Sequence, residues 1–280
     1  MFETVDKERI VAALKAKLEE LNISQAEAAR RIGVSAATIT NLLGGKWDKI
    51  TRVWGQVASW VAGRVDSWQA AEIANYRIIQ DICRDAQEAG LSRAVSFRPG
   101  SGKTFAAKAY ADQNPNVFYV GAVGDMSKRQ LLSSLCSSMG IGSSYRSAEM
   151  LEDIIDKLSK TSKALIIVDE FDELDNKAMR VFKDLYNSLD CGFVLIGGKH
   201  LKERIEKGVR RNKQSYAEIY SRIGGEFISL AEVTLAVVRK ICVSNGVFDQ
   251  NLIKDIYAQA NGDLRRVKAL VRTLQTTSNN

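Results

Sequence analysis

One stretch constrains this chain more than any other: Phe97-Arg98-Pro99-Gly100-Ser101-Gly102-Lys103-Thr104. It satisfies the pattern G-x-x-x-x-G-K-[ST] at every fixed position but the first, where Phe97 stands in place of glycine. An apolar strand, residues 94–97, precedes it, and a helical segment, residues 105–112, follows. A loop of this kind turns backbone N–H groups inward around phosphates. Its glycines supply the conformations that L-residues avoid, and the helix N-terminus adds partial positive charge. Gly100, Ser101, Gly102, Lys103 and Thr104 are therefore candidate nucleotide-binding residues. Lys103 would reach the β- and γ-phosphates of ATP, and Thr104 would ligate Mg²⁺. The Cβ of Phe97 is expected to restrict the first turn of the loop and lower nucleotide affinity.

A second strand adds carboxylates. Residues 164–170 read Ala-Leu-Ile-Ile-Val-Asp-Glu, an apolar run that suits a strand buried on both faces. Asp169 and Glu170 emerge at its C-terminal end, beside the phosphate loop if the two strands are neighbours. Asp169 is placed to hold Mg²⁺ through water and Glu170 to polarise an attacking water. Asp172, Glu173 and Asp175 read as the solvated start of a helix. Apolar strands at 94–97, 117–120, 164–168, 192–196 and 227–230 alternate with helical segments, which predicts an α/β fold with a five-stranded parallel sheet. After residue 230 the chain reads as helical in about three pieces.

The rest of the composition narrows the chemistry. A single histidine, His200, leaves no Ser/His triad or multi-histidine metal centre. Four cysteines, Cys83, Cys136, Cys191 and Cys242, form no C-x-x-C pair and read as buried thiols in a reducing compartment. No apolar run is long enough for a membrane span, and the charged N-terminal segment does not read as a signal peptide. A cytoplasmic protein is expected.

The first 65 residues read as a separate all-α domain of short helices. Ile10, Leu14, Leu18 and Leu21 share one face, Ser24 and Glu27 form a capping box, and Gly33 makes a left-handed turn. Residues 22–45 resemble a helix-turn-helix of the phage-repressor kind, with Gln25, Ala29, Gly33, Val34 and Ile39 at the motif's positions. That resemblance implies a second helix in the DNA major groove, presenting Ser35, Ala36, Thr38 and Asn41, with Arg30, Arg31 and Lys46 near phosphates. Residues 1–70 hold ten basic and eight acidic side chains, too little excess for tight autonomous DNA binding. A helical bundle that contacts protein is the alternative.

The two motifs, the strand spacing and the helical tail together resemble an AAA+ ATPase over residues 70–275. The resemblance implies a core at 66–230 and a helical lid at 231–280. It implies that Arg222 reaches the nucleotide of a neighbouring subunit and that Arg265, less so Arg266, touches the γ-phosphate from the lid. No Asn or Thr follows the fourth strand, so the first sensor is missing or has moved to Lys199. In DNA-handling members of the family, the loop after the second strand lines the DNA channel. Lys128 and Arg129 match that location, and Arg146 matches it loosely. A separate candidate comes from charge: residues 198–280 hold fifteen basic and eight acidic side chains, with a solvated helix carrying pairs such as Glu203–Lys207 as the alternative. The 199–213 segment, including Lys199, Lys202 and Arg204, is its densest part and reads as a phosphate-contacting face.

A helix-turn-helix joined to a short AAA+ core resembles the ATP-dependent target-DNA activators of phage transposition. That resemblance implies ATP- and Mg²⁺-dependent, largely sequence-non-specific binding to double-stranded DNA as helical homo-oligomers. The filament would activate a transposase, and ATP hydrolysis would dismantle it. An initiator or helicase-loader ATPase and a nucleotide-responsive transcription regulator are the competing readings.

Overall fold

The computed structural model describes residues 4–20, 23–32, 34–47, 53–62, 68, 71–142 and 146–277. The chain forms two compact units, residues 72–232 and residues 1–71 together with 233–280. Leu21 and Gly33 lie outside the described residues, as does the side chain of Arg31.

The 72–232 unit is built on a parallel sheet of β1 (Ser92–Ser96), β2 (Val117–Gly121), β3 (Leu165–Asp169) and β4 (Gly192–Gly197), in the order β1-β4-β3-β2. Strand alternation sorts the side chains between two cores. Leu165, Ile167, Val194 and Ile196 pack against α5 (Ala74–Ala89) and α6 (Lys103–Gln113) on one face. Ile166, Val168, Phe193 and Leu195 pack on the other face, against α7 (Lys128–Ser138), α8 (Ser147–Ser159), α9 (Asn176–Ser188), α10 (His200–Arg210) and α11 (Gln214–Arg222). Every residue of β3 and β4 is buried, as apolar runs covered on both faces require.

The sheet has four strands among the described residues, where five were expected. Residues 227–230 make only an isolated parallel bridge, Val95 to Ile228, on the free edge of β1. The Ile228 N–H donates to Ala94 O at 2.8 Å and the Ser96 N–H to Ile228 O at 3.2 Å. Gly224 and Gly225, both at positive φ, reverse the chain just before this segment. Phe227 and Ile228 are only half-buried, so little apolar burial holds a longer ladder there.

The other unit contains α1 (Thr4–Glu20), α2 (Gln25–Ile32), α3 (Ala36–Leu43) and α4 (Trp54–Ala62), then α12 (Leu235–Ser244), α13 (Gln250–Ala260) and α14 (Leu264–Thr277). Ile10, Leu14, Ile39, Leu42, Trp54 and Val57 form its N-terminal core, and Phe248, from the turn between α12 and α13, packs against it. Ser24 caps α2, its Oγ accepting the Glu27 N–H at 3.2 Å. Thr40 donates to Gln25 Oε1 at 3.0 Å and so ties α3 to α2. Gln275 donates to Asn245 O at 2.8 Å and ties α14 to the end of α12.

Candidate nucleotide site and basic surface

Residues 97–102 join β1 to α6, with left-handed backbone at Gly100 (φ 76°) and Gly102 (φ 92°), where glycine avoids the Cβ penalty. Phe97 is not among the positive-φ residues. Its N–H donates to Gly197 O at 3.3 Å, extending the β1–β4 ladder by one bond, and its side chain packs on the α5–α6 core. The expected strain at Phe97 is therefore absent, because the tight part of the loop begins three residues later.

Lys103 is the first residue of α6 and is buried; its Nζ donates to Phe97 O and Arg98 O, both at 2.9 Å. That ammonium is thereby held against the backbone of the loop. Ser101 is 1% exposed, and its Oγ has no hydrogen-bond partner among the described residues. An orphaned buried hydroxyl in a glycine-rich turn fits a phosphate oxygen as its partner. Thr104, half-buried, follows on the first turn of α6.

β3 is not the neighbour of β1; β4 lies between them. At about 4.8 Å per strand, the ends of β1 and β3 stand roughly 10 Å apart on the same C-terminal edge. This gap suits a phosphate and a hydrated cation better than direct contact would. Asp169 closes β3 and is 1% exposed. Its Oδ1 accepts the Glu170 N–H at 3.0 Å, and its Oδ2 accepts Tyr119 Oη–H from β2 at 3.0 Å. Burial first, then the Asp169 carboxylate beside it, pushes the Tyr119 phenol far above its usual range, so it stays a donor. Lys108 Nζ lies 5.4 Å from the Tyr119 ring centre. Glu170 has φ 53°, a conformation a non-glycine residue keeps only where its surroundings impose it. Among the described residues no three His, Cys, Asp or Glu side chains gather as a metal cluster, so a cation here would lean on Asp169, Thr104, phosphate and water.

Three residues at this edge escaped sequence reasoning. Tyr119 is one. Asn75, buried in the first turn of α5, donates to Ser101 O at 3.3 Å and Ala231 O at 2.9 Å and accepts the Ala231 N–H at 2.8 Å. Asp172 was expected in solvent but is half-buried, and its Oδ1 accepts the Gly198 N–H at 3.1 Å. A Cβ on Gly197 would come within 2.4 Å of that carboxylate, so the end of β4 needs glycine for close approach rather than a polar side chain. Asp175 is the N-cap of α9, accepting the Ala178 N–H at 2.6 Å. Only short-range signals were legible for these residues, and Asp175 alone has a local partner.

The remaining candidates are dispersed. Arg222 ends α11, on the opposite face of the sheet from α6. Its Nε lies 3.7 Å from Glu218, and its guanidinium sits 5.7 Å from the Tyr186 ring centre. Arg265 and Arg266 are exposed at the start of α14, in the other unit. Lys199 and Lys202 are exposed at the start of α10, Lys202 within 3.9 Å of Glu206. Arg204 departs from the expected phosphate-contacting face. It turns inward to donate to Asp172 O, Leu174 O and Tyr216 Oη. Lys128 and Arg129 open α7, after a Ser127–Gln130 capping box. Arg146 precedes α8 and pairs with Glu149 at 3.4 Å. In the helix-turn-helix, Ser35 caps α3: its Oγ accepts the Thr38 N–H at 3.1 Å and lies 2.8 Å from Thr38 Oγ1. Both hydroxyls are thus engaged with each other, while Asn41 is exposed.

Comparison with known proteins places these observations in context. The family described as AAA domain matches residues 94–205, and a helix-turn-helix family matches residues 14–46. The chain is 27% identical to the Mu-like prophage FluMu DNA transposition protein B of Haemophilus influenzae, over 76% of this chain and 77% of that protein. It is 23% identical to the ATP-dependent target DNA activator B of Escherichia phage Mu, over 96% of this chain and 88% of that protein. The same figures hold for the activator B of Escherichia phage D108.

Proposed function

From a chain that carries an AAA domain and an N-terminal helix-turn-helix and resembles transposition protein B of Mu-like phages, we propose an ATPase that binds DNA in its ATP state and serves DNA transposition. The observation that carries this reading is the loop around the buried Ser101 hydroxyl and Lys103, on the sheet edge that also bears Asp169 and Glu170.

Gly100 to Thr104 bind the triphosphate, and Lys103 supplies the positive charge that its γ-phosphate requires. Mg²⁺ bound beside Asp169 and Thr104 would neutralise charge developing on the phosphate oxygens. Tyr119 orients Asp169 from the neighbouring strand. Glu170 takes a proton from the attacking water, and its left-handed backbone aims it off the strand end. Arg222 of one subunit completes the site of the next, so nucleotide stabilises contact between copies. Arg265 brings the lid to the γ-phosphate. The resulting helical homo-oligomer aligns Lys128, Arg129 and Arg146 with Lys199 and Lys202 along the backbone of double-stranded DNA, with little sequence preference. The helix-turn-helix contributes through Asn41. On hydrolysis Arg222 and Arg265 lose the phosphate they hold, and the filament disassembles.

A transposase is the partner that such a filament recruits, in the cytoplasm. Buried, free thiols at all four cysteines suit that compartment. No helix among the described residues is long and apolar enough to cross a membrane. The reading is tested by measuring binding of the full chain to two unrelated duplexes with ATP and with ADP. Similar ATP-dependent affinity for both duplexes supports it. Nucleotide-independent binding to one sequence alone favours a transcription regulator.

A further inference from the structure

The loops after β2 and β3 run side by side for longer than the strands do. Met126 and Leu174 form a parallel bridge, the Met126 N–H donating to Glu173 O and the Asp175 N–H to Met126 O, each at 2.9 Å. This brings the starts of α7 and α9 together. The turn between α10 and α11 closes a third side. The resulting open cleft, about 810 Å³ in volume, is lined by Lys128, Lys177, Arg180, Lys183 and Lys213, with Asp184 as its only carboxylate among the described residues.

We propose that this cleft grips the phosphodiester backbone of DNA, with Lys177, Arg180 and Lys183 of α9 as contacts beyond those already named. The inference rests on the DNA-binding reading above and locates its principal anchor. Three observations carry it. First, none of the five cations enters an ion pair among the described residues, so no carboxylate neutralises them; Lys213 Nζ alone has another partner, the Tyr216 ring, 5.5 Å from its centre. Secondly, Lys128 and Lys177 occupy first turns of helices, where the macrodipole opposes positive charge; a bound anion offsets that cost. Thirdly, every side chain of the lining ends in a polar or charged group, with no aliphatic residue among them, and the one aromatic ring, Tyr216, is fixed by its Oη–H donating to Asn176 Oδ1 at 2.6 Å. A peptide site would offer apolar pockets for anchoring side chains. Flexible cations without apolar anchors recognise repeated phosphates and ignore base identity.

The test uses the full chain, ATP, and two unrelated fluorescent duplexes across a salt series. Lys177→Ala/Arg180→Ala/Lys183→Ala should bind at least tenfold more weakly and flatten the slope of log affinity against log salt by about two to three units. The charge-preserving variant Lys177→Arg/Arg180→Lys/Lys183→Arg should bind like wild type. Thermal unfolding checks that each variant folds, and Arg180→Glu, one change at an exposed position, repeats the test independently. Poly-glutamate serves as a competing polyanion. An unchanged affinity and slope in the alanine variant and in Arg180→Glu would overturn the assignment while leaving the DNA-binding reading intact. Loss of poly-glutamate binding with retained duplex binding would make the cleft a docking site for acidic protein, and the proposal would fall. If wild type itself binds neither duplex, the underlying DNA reading fails with it.

Discussion

Lys103 combines burial with two hydrogen bonds to carbonyls of its own loop, so its charge is held at the loop proposed to bind the triphosphate. Lys103→Ala should weaken ATP binding at least tenfold by calorimetry; equal affinity would remove the loop from the nucleotide site. Glu170→Gln keeps the size and the backbone but loses the base. ATP binding should persist while turnover falls by about 10²–10⁴. Turnover equal to wild type would show that Glu170 is not the base. Tyr119→Phe removes only the bond to Asp169, so the Mg²⁺ concentration needed for half-maximal turnover should rise several-fold while saturating Mg²⁺ restores the rate. An unchanged Mg²⁺ requirement would make Tyr119 merely structural. The motif residues were legible because their chemistry is written in consecutive positions. Tyr119, Asn75 and Asp172 were not, because their partners lie far along the chain and only folding brings them together.

At the scale of elements, apolar runs revealed β3 and β4 because full burial demands such runs, while β1 and β2, only partly buried, were marked by shorter apolar stretches. The fifth run failed because a short apolar segment says nothing about how far its partner strand continues; Val95–Ile228 is a single bridge. The 199–213 segment shows the same limit. Its charge count is real, yet Arg204 points inward as a brace, so net charge along a sequence overstates charge on a face. The helix-turn-helix cannot be tested cleanly by truncation, since Phe248 packs against its core and deletion would expose that contact. Point changes separate the roles better. Lys128→Ala/Arg129→Ala should weaken DNA binding more than Asn41→Ala, measured at fixed salt with ATP. The reverse order would make the N-terminal module the main DNA reader.

For the whole molecule, two quantities decide behaviour, charge and burial. A net charge of +7 favours polyanions at long range but not a particular sequence. Burial pushes the thiols of Cys83, Cys191 and Cys242 up to about 12, from 9.0. Their folded forms favour the proton, so this contribution to stability is complete below about pH 9 and is lost as pH rises toward 12. Denaturant unfolding followed from pH 7 to 11 should therefore show a decline beginning near pH 9, and thiol reagents should react only after unfolding. A stability flat to pH 11 would contradict that burial. The central claim, however, is that one ATP-binding edge controls assembly on DNA. Electron microscopy of wild type, Lys103→Ala and Glu170→Gln on a long duplex with ATP tests it most directly. Wild type should form filaments that disassemble as ATP is consumed, Glu170→Gln filaments that persist, and Lys103→Ala none. Filaments of equal abundance and lifetime in all three would contradict the account.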